Sequence, residues 1–391
     1  MITQEIERQL AIIKRGIEEI VSEEELRQKL KESLKSKRPL IIKAGFDPTA
    51  PDIHLGHTVL LRKMRQFQEL GHRVIFLIGD FTGQIGDPTG QDKTRKRLSE
   101  EEVKRNALTY KKQVFKILDE KKTEVVFNSS WFKRMSSTQI LELSAHTTLA
   151  QLLARHDFNQ RYNQGKDISL LEFFYPLLQA YDSVYLKADV EIGGIDQKFN
   201  LLLGRELQKD FGQNPQVIIM LPLLEGTDGL HKMSKSFGNY IGIDEPANEM
   251  FGKIMSISDE LMLRYYTLLT DEDLNLIKNM HPKEAKLRLA ELMVSQYHSQ
   301  EKAHKARLEF ERVFSQKEVP QDIPLYKLSL NETILDILTK AGLVQTKNEA
   351  RRLIKQKAVT LNEKIIDNEK AVIVTCGILK VGKRRFLKLE R

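Results

Sequence analysis

The sequence of 391 residues has only one cysteine, Cys376, and it has no long run of apolar residues. A single cysteine excludes an internal disulfide framework and fits a reducing compartment. No segment approaches the roughly 18 uninterrupted apolar residues that a membrane-spanning helix needs. Residues 1–38 are charged and amphipathic, so we expect no secretory signal there. Internal repeats and low-complexity segments are also absent. We therefore expect a cytoplasmic protein with no membrane partner.

The positive charge of the chain is unevenly distributed. Residues 326–391 contain 15 Lys and Arg against 7 Asp and Glu, an excess that equals the net charge of +8 of the whole chain. This asymmetry favours a polyanionic partner for the basic segment, although a basic domain that is merely soluble has the same composition. The two prolines of residues 319–324 indicate a linker before this segment.

Strand and helix patterns alternate before the linker and predict a doubly wound parallel sheet. Apolar runs predict strands at residues 40–42, 73–78, 125–127, 190–192 and 217–221. Helical patterns cover residues 98–121, 129–154, 172–184 and 199–209. Residues 1–38 predict one or two charged helices, and residues 248–314 predict a two-sided helical region. A chain of this length has room for two or three domains.

The segment 40–65 begins as an apolar strand and ends as an amphipathic helix. A helix N-terminus presents free backbone N–H groups and the positive end of the helix dipole, which suits phosphate binding. Gly56 lets a ligand approach the backbone closely. His54 and His57 share one helix face. Taken alone, they indicate a metal pair or two surface histidines, and no third ligand cluster supports the metal pair.

A second segment, K-M-S-K-S at residues 232–236, changes that interpretation. The first signature segment (His54–His57) and the second signature segment (Lys232–Ser236) together resemble the two signatures of class I aminoacyl-tRNA synthetases. Four further stretches make the chain similar to bacterial tyrosyl-tRNA synthetases: G-F-D-P-T-A at 45–50, T-G-Q-I-G-D-P at 82–88, L-Q-A-Y-D at 178–182 and G-G-I-D-Q at 193–197. Residues 351–356 and 381–384 resemble the RNA-binding fold of a small-subunit ribosomal protein.

The resemblance implies an α/β fold built on a doubly wound parallel, Rossmann-like sheet. It implies a catalytic domain at 1–228 with a helical insertion at about 125–175. The second signature segment and a helical domain follow at 229–318, and a small C-terminal α+β RNA-binding domain at 326–391. The implied enzyme is a tyrosine–tRNA ligase that uses ATP with accompanying Mg²⁺, binds L-tyrosine and tRNA(Tyr) but not DNA, and forms a homodimer.

Two alternatives stay open at this point. A tryptophanyl-tRNA synthetase has a similar fold, but the Tyr181-Asp182 pair and the basic segment speak against it. An inactive RNA-binding protein with a synthetase fold is the other alternative, and the intact signature segments speak against that one. Tyrosine-stimulated exchange between ATP and pyrophosphate would separate all three.

The resemblance also assigns roles to residues. The catalytic group, which contacts the phosphates of ATP and pyrophosphate, comprises Thr49, His54, His57, Lys232 and Lys235. The residues assigned to ATP and the adenylate are Asp47, Gly56, Gly194, Asp196, Gln197 and Met233. Those assigned to tyrosine are Gly45, Asp87, Tyr175, Gln179 and Asp182, with Asp182 accepting from the phenol hydroxyl. Those assigned to RNA are Arg351, Arg352, Lys355, Lys383 and Arg384. No residue is assigned to a metal.

Two positions depart from the resembled pattern. A tyrosine usually stands two residues before the G-F-D-P-T stretch and shares the phenol hydroxyl with the acid, but here that residue is Lys43. Lysine has no acceptor, and its ammonium group could either donate to the phenol oxygen or point away. Gln91 stands where a basic residue is frequent. We further interpret Trp131 as a core residue and expect ordinary ionisation of the carboxylates in the site.

Overall fold

A computed structural model describes residues 2–89, 98–315, 323–329, 332–344, 346–382 and 385–390. By its packing the chain divides into two compact units, Met1–Ala303 and His304–Arg391. The division into three domains predicted from the sequence stays a prediction. Most of the predicted linker lies outside the described residues, as do Gln91, Lys383 and Arg384.

The first unit contains a sheet of six strands: β1 (Glu19–Val21), β2 (Ile41–Phe46), β3 (Arg73–Ile78), β4 (Thr123–Phe127), β5 (Val190–Gly194) and β6 (Val217–Leu221). Their order is β1-β6-β5-β2-β3-β4. All neighbours pair in parallel except β1, which is antiparallel to β6. The bounds of β3 and β6 equal the predicted ones, because a parallel strand covered on both faces appears as a continuous apolar run. The predicted doubly wound sheet is confirmed.

The order of the strands reverses between β2 and β5. The chain continues from β2 to β3 and β4 on one side, and β5 and β6 lie on the other. In sheets of this kind a ligand crevice opens outside the carboxyl ends of the strands at the reversal point. Asp47, Gly79 and Asn128 directly follow three of these strands there, and Asp196 lies two residues after β5.

The helices of the first unit are α1 (Ile2–Lys14), α2 (Glu23–Ser36), α3 (Leu55–Glu69), α4 (Thr82–Ile85), α5 (Glu100–Val114), α6 (Ser129–Phe132), α7 (Ser137–Ser144), α8 (Leu149–Leu153), α9 (His156–Asn163), α10 (Leu170–Leu186), α11 (Lys198–Asp210), α12 (Ala247–Met255), α13 (Asp259–Leu269), α14 (Leu274–Lys278) and α15 (Pro282–Tyr297). Helix α16 (Gln300–Ser315) begins in the first unit and ends in the second. Single 3₁₀ turns occur at Glu120–Lys122, Ile195–Gln197 and Lys235–Phe237.

Two helical predictions need correction in their details. The region 129–154 consists of three short helices, because Ser136 and Thr148 each cap the start of a new one. Helix α5 ends at Val114 rather than near residue 121. The residues after it form a turn that buries Ile117 and Leu118.

The second unit contains the strands β7 (Leu325–Lys327), β8 (Val359–Leu361), β9 (Lys364–Ile365), β10 (Gly377–Val381) and β11 (Arg385–Glu390) with the helices α17 (Ile334–Lys340) and α18 (Lys347–Lys355). The order of the strands is β7-β11-β10-β8-β9. Apolar residues of both helices and of β8, β10 and β11 share one buried core. The predicted small α+β domain is confirmed.

No helix in the described part of the chain combines the length and the apolar character needed to cross a bilayer. Cys376 is an exposed free thiol.

Candidate active site

The two signature segments are neighbours in space, although they are far apart in sequence. The N–H of Leu55 donates to the carbonyl of Ile241 at 2.9 Å, and the N–H of Ile243 donates to the carbonyl of Ile53 at 3.1 Å. A Cβ added to Gly56 would lie 3.5 Å from Cβ of Met233. Main-chain hydrogen bonds therefore join the first signature segment to the chain just after the second.

His54 and His57 cap helix α3 reciprocally. Nδ1 of His54 accepts from the N–H of Gly56 at 3.2 Å, and Nδ1 of His57 accepts from the N–H of His54 at 3.3 Å. Their ring centroids are 3.9 Å apart. Because each Nδ1 is an acceptor, the proton of each neutral ring must be on Nε2.

Both imidazoles are neutral at physiological pH. Burial, followed by the charges of His57 and Lys235, lowers the pKa of His54 to about 2. Burial and the charge of Lys235 lower the pKa of His57 to about 4. The first signature segment thus offers two N–H donors without positive charge, beside the N-terminus of a helix whose dipole already favours anions.

The lysines of the second signature segment make ion pairs with carboxylates of the same site. Nζ of Lys232 lies 3.1 Å from Oδ2 of Asp196, and Nζ of Lys235 lies 2.9 Å from Oδ2 of Asp52. Asp52 was not predicted. It lies two residues before His54, and its ion pair with Lys235 therefore joins the second signature segment to the chain just before the first.

Buried Asn239 holds the main chain of the second signature segment, a role that the sequence analysis did not predict. Its Oδ1 accepts from the N–H of Ser234 at 2.9 Å, and its Nδ2 donates to the carbonyls of His231 and Lys232 at 3.3 Å. Met233 of the same segment is buried, with 5% of its surface exposed. An asparagine after a glycine is ordinary turn chemistry, so only the folded structure identifies Asn239.

Asp182, which the resemblance assigns to the phenol hydroxyl of tyrosine, is 2% exposed. The indole N–H of Trp131 donates to its Oδ1 at 3.0 Å, and Nδ2 of Asn128 is 3.4 Å from its Oδ2. The interpretation of Trp131 as mere core packing was incomplete. A buried indole usually has a hydrogen-bond acceptor, and that rule could have indicated one here.

The expectation of ordinary ionisation was wrong for Asp182. Burial raises its pKa to about 8, against the opposing effects of the Lys43 charge and of the hydrogen bonds from Asn128 and Trp131. The sequence could not reveal this shift, because it depends on how completely the carboxylate is removed from water.

Asp47, which the resemblance assigns to ATP, contacts Tyr175, which it assigns to tyrosine. The hydroxyl of Tyr175 donates to its Oδ2 at 2.8 Å, and that of Thr82 donates to its Oδ1 at 2.8 Å. A Cβ on Gly79 would lie 2.0 Å from Oδ1 of Asp47, so glycine is required for this approach. Burial and then the charges of Asp47, Asp87 and Asp182 raise the pKa of Tyr175 well above its usual value.

A hydrogen-bonded chain connects the other residues assigned to tyrosine. Nε2 of Gln197 donates to Oδ2 of Asp87 at 2.7 Å, and Nδ2 of Asn200 donates to both Gln179 and Gln197. Buried Arg155 donates to Oδ1 of Asn200 at 3.2 Å. Asn200 and Arg155 were missed, because the residues they join lie on separate elements.

The remaining predicted residues have simpler surroundings. Gly45 lies within β2 and Gly194 ends β5. Thr49 is exposed in the turn after β2, where its N–H donates to the carbonyl of Asp47 at 2.8 Å. In the second unit, Arg351, Arg352 and Lys355 are exposed on α18. The residues that the structure describes include no group of three or more His, Cys, Asp or Glu side chains that could hold a metal.

Two family models match the chain. The model described as tRNA synthetases class I (W and Y) matches residues 35–315, and the S4 domain model matches residues 333–372. The tyrosine–tRNA ligase of Carboxydothermus hydrogenoformans is 53% identical, over 100% of this chain and 99% of that protein. The tyrosine–tRNA ligase of Aquifex aeolicus is 54% identical over 98% of each chain. This chain belongs to the tyrosine–tRNA ligase family.

A solved structure of the same family shares the fold. The tyrosyl-tRNA synthetase from Archaeoglobus fulgidus, complexed with L-tyrosine, matches with a TM-score of 0.63 and 26% identity, covering 77% of this chain and 99% of that one. The predicted resemblance to bacterial tyrosyl-tRNA synthetases is confirmed. The first family model covers the tryptophan and tyrosine enzymes together, and both relatives described above are tyrosine enzymes. The tryptophan alternative is therefore set aside.

Proposed function

We propose that the protein attaches L-tyrosine to tRNA(Tyr) in two steps. First, a carboxylate oxygen of tyrosine attacks the α-phosphorus of ATP, the new P–O bond forms, and the bond to pyrophosphate breaks. Second, a ribose hydroxyl at the 3′ end of the tRNA attacks the carbonyl carbon of tyrosyl adenylate, and AMP leaves. The observation that carries the proposal is the meeting of both signature segments beside the carboxyl ends of parallel strands.

The first step needs no protein nucleophile, so the protein positions the reactants and stabilises the leaving charge. The Nε2–H groups of His54 and His57 donate to phosphate oxygens of ATP. Lys232 and Lys235 leave their carboxylates and bind the departing pyrophosphate. Thr49 adds a donor beside the same oxygens.

The adenosine part of the nucleotide lies against the end of β5 in this proposal. When Lys232 turns to pyrophosphate, Asp196 is released to accept from a ribose hydroxyl. Gly194 and Gln197 hold neighbouring atoms of the adenylate, while Gly56 and Met233 border the phosphates. Mg²⁺ enters with ATP as part of the substrate.

The tyrosine substrate lies against helix α10. Asp87, Tyr175 and Gln179 bind its α-ammonium group, and Gly45 leaves room beside them. Asp182 accepts from its phenol hydroxyl. The accumulation of carboxylates around Tyr175 supports this orientation, because a cationic ammonium group offsets their charge.

The second unit supplies the surface for tRNA. Arg351, Arg352 and Lys355 are exposed along α18 and contact the phosphate backbone. Lys383 and Arg384 are added to this surface from the sequence alone.

We also propose a cytoplasmic homodimer. Four large apolar side chains of the segment 137–170 are 60–73% exposed: Leu141, Leu149, Tyr162 and Leu170. Exposed apolar surface of this kind indicates a protein partner, and here we assign a second copy of the chain. The free thiol of Cys376 fits a reducing cytoplasm.

Exchange between ATP and labelled pyrophosphate tests the activity. We expect exchange with tyrosine and none with tryptophan. Exchange driven by tryptophan would support the tryptophan enzyme, and no exchange with either amino acid would support the inactive RNA-binding protein.

The RNA surface is tested by the double substitution Arg352→Glu and Lys355→Glu. We expect unchanged exchange but weaker tRNA binding, with the slope of log affinity against log salt flattened by roughly 0.7–0.9 for each lost phosphate contact. An unchanged slope would remove these two residues from the tRNA surface.

A further inference from the structure

We propose that Lys43 is a positioning residue that controls tyrosine selection through Asp182, as part of a buried network with Glu191 and Ser183. The inference rests on the proposed function, because Asp182 is the residue assigned to the phenol hydroxyl of the substrate. It gives a role to the lysine that stands at a position where a tyrosine is usual.

All three N–H donors of the Lys43 ammonium group are directed at protein acceptors. Its Nζ lies 2.7 Å from Oγ of Ser183, 2.9 Å from Oε1 of Glu191 and, in a longer contact, 3.5 Å from the carbonyl oxygen of Gln179. An ammonium group has three donors. Lys43 is fully buried. No N–H of Lys43 is left for the oxygen of a bound phenol, so its influence on the substrate must be indirect.

Two of the three acceptors of Lys43 lie on either side of Asp182 in helix α10. Ser183 follows Asp182 directly, and the carbonyl of Gln179 belongs to the preceding turn of the same helix. Lys43 therefore fixes the turn of α10 that presents Gln179 and Asp182 to the substrate. The contact reaches α10 from strand β2, and it sets the distance between the sheet and the helix at this point.

Glu191, on β5, completes the network. Its Oε1 pairs with Lys43, and its Oε2 accepts from Oγ of Ser183 at 2.8 Å and from Nε2 of Gln216. A Cβ on Gly204 of α11 would lie 2.8 Å from Nε2 of Gln216 and 3.4 Å from Oγ of Ser183. Helix α11 thus approaches through a glycine and leaves room for the buried polar groups.

The network also acts on Asp182 electrostatically. The charged and titratable groups that face Asp182 are Lys43 of β2, Glu191 of β5 and Tyr175 of α10. The ammonium group of Lys43 favours the ionised carboxylate, whereas burial and Glu191 favour the protonated one. Without Lys43, two buried carboxylates would face each other across Ser183. The pKa of Asp182, already about 8, would then rise further, and a still smaller fraction of the carboxylate would be ionised to accept from the phenol.

The experiment measures kcat/KM in pyrophosphate exchange for tyrosine and for phenylalanine between pH 6 and pH 9. The parent is compared with Lys43→Met, Glu191→Gln and the double variant. In Lys43→Met we expect tyrosine kcat/KM at neutral pH to fall about tenfold for each unit by which the pKa of Asp182 rises further. The loss should appear in KM and recover at high pH, and phenylalanine should be little affected.

Glu191→Gln should move the pH profile in the opposite direction. It keeps an acceptor for Lys43 but removes the charge that opposes ionisation of Asp182, so tyrosine selection should persist to lower pH. The double variant should lie between the two single variants. Opposite shifts from the two single variants identify an electrostatic role, because a purely structural network would lose selection in the same direction with either change.

Lys63→Met is the matched control. Lys63 is also a buried lysine, but it donates to the carbonyls of Ile13 and Arg15 at 2.7 and 2.9 Å, away from α10. Lys63→Met should leave the ratio of kcat/KM for tyrosine to kcat/KM for phenylalanine unchanged.

The inference would be overturned if Lys43→Met kept the selectivity and the pH profile of the parent. It would also be overturned if kcat/KM fell equally for tyrosine and phenylalanine and did not depend on pH. If Lys43→Met does not fold, Glu191→Gln tests the inference independently. A pH profile of tyrosine kcat/KM that moves to higher pH in Glu191→Gln, or does not move, would overturn the inference. Absence of tyrosine-stimulated exchange in the parent would instead overturn the proposed function.

Discussion

The proposed tyrosine side and the proposed nucleotide side of the site hold their charges differently. The pair Lys43–Glu191 on the tyrosine side has side chains that are 0% and 3% exposed. The pair Lys232–Asp196 on the nucleotide side has side chains that are 47% and 27% exposed. A buried pair that loses one partner leaves a charge without compensation, whereas an exposed pair contributes about 0–1 kcal/mol.

This difference matches what each side must do. Selection between tyrosine and phenylalanine depends on polar partners that stay in place when the wrong substrate arrives, since an unpaired buried group is what rejects it. Binding and releasing phosphates depends on charges that change partners easily. The same residue types, lysine and carboxylate, therefore serve rigid selection where they are buried and exchangeable binding where water reaches them.

The largest expected effect is on selection. Asp182→Ala should abolish most of the preference for tyrosine over phenylalanine. Sites that hydrogen-bond a substrate hydroxyl prefer that substrate by about 10⁴–10⁵, a range established on tyrosyl-tRNA synthetases themselves. The ratio of kcat/KM values in pyrophosphate exchange measures it. Asp210→Ala is the control, because Asp210 is a surface carboxylate that pairs with His146. Unchanged selectivity in Asp182→Ala would contradict the assignment of the tyrosine side.

The next effect concerns the exposed lysines. Lys232→Ala or Lys235→Ala should slow adenylate formation by roughly 10²–10³, the loss typical of one preorganised donor to developing charge. Tyrosine affinity should hardly change, because this charge develops only as the bond breaks. Single-turnover formation of tyrosyl adenylate measures the rate, with Lys209→Ala, a surface lysine that pairs with Glu206, as the control. If the double variant Lys232→Ala and Lys235→Ala formed tyrosyl adenylate at the rate of the parent, neither lysine would take part in the mechanism.

A pH series tests whether His54 and His57 stay neutral in the folded protein because they are buried. The pKa values of His54 and His57 in the folded protein, about 2 and about 4, lie below the ordinary value of about 6.5 in the unfolded chain. Their contribution to stability is therefore complete above pH 6.5 and is lost as pH falls towards 4 and below. The slope approaches about 1.4 kcal/mol per pH unit for each histidine.

The free energy of unfolding, measured with denaturant from pH 7.5 to 4.5, checks this expectation. The double variant His54→Asn and His57→Asn should show a flatter decline, and asparagine still caps a helix. An equal decline in the parent and the variant would mean that the imidazoles titrate normally in the folded protein.

The smallest effect is expected for Asp52→Asn, which removes the charge partner of Lys235. Because that pair is exposed, ATP should bind at most about fivefold more tightly. The KM for ATP in pyrophosphate exchange measures it. Glu191→Gln makes the same change, from carboxylate to amide, in the buried pair with Lys43. It should change tyrosine kcat/KM by a larger factor than Asp52→Asn changes the KM for ATP. Similar effects of the two substitutions would break the contrast between the sides.

The sequence predicted the parallel strands well, because buried strands such as β3 and β6 are continuous apolar runs. It missed β1, since two apolar residues after a glutamate are too short a run to indicate a strand, and they become one by pairing with β6. The segments that carry the candidate site were found from their resemblance to the signatures of the family. Residues that act through distant partners were not found, because nothing near Lys43 or Asn200 in the sequence indicates Glu191, Ser183 or Gln179.

The pairing of β1 (Glu19–Val21) with β6 (Val217–Leu221) has a consequence for synthesis on the ribosome. β1 is the first strand to be translated, but its partner is the last strand of the sheet. At roughly 5–20 residues per second, β1 waits on the order of ten seconds or more before β6 exists. During that time the growing sheet has an open edge, which is the kind of surface that pairs with foreign strands. Once β6 has formed, β1 covers its outer edge and becomes the edge strand itself. At three residues, β1 offers foreign strands a shorter surface than the five-residue β6.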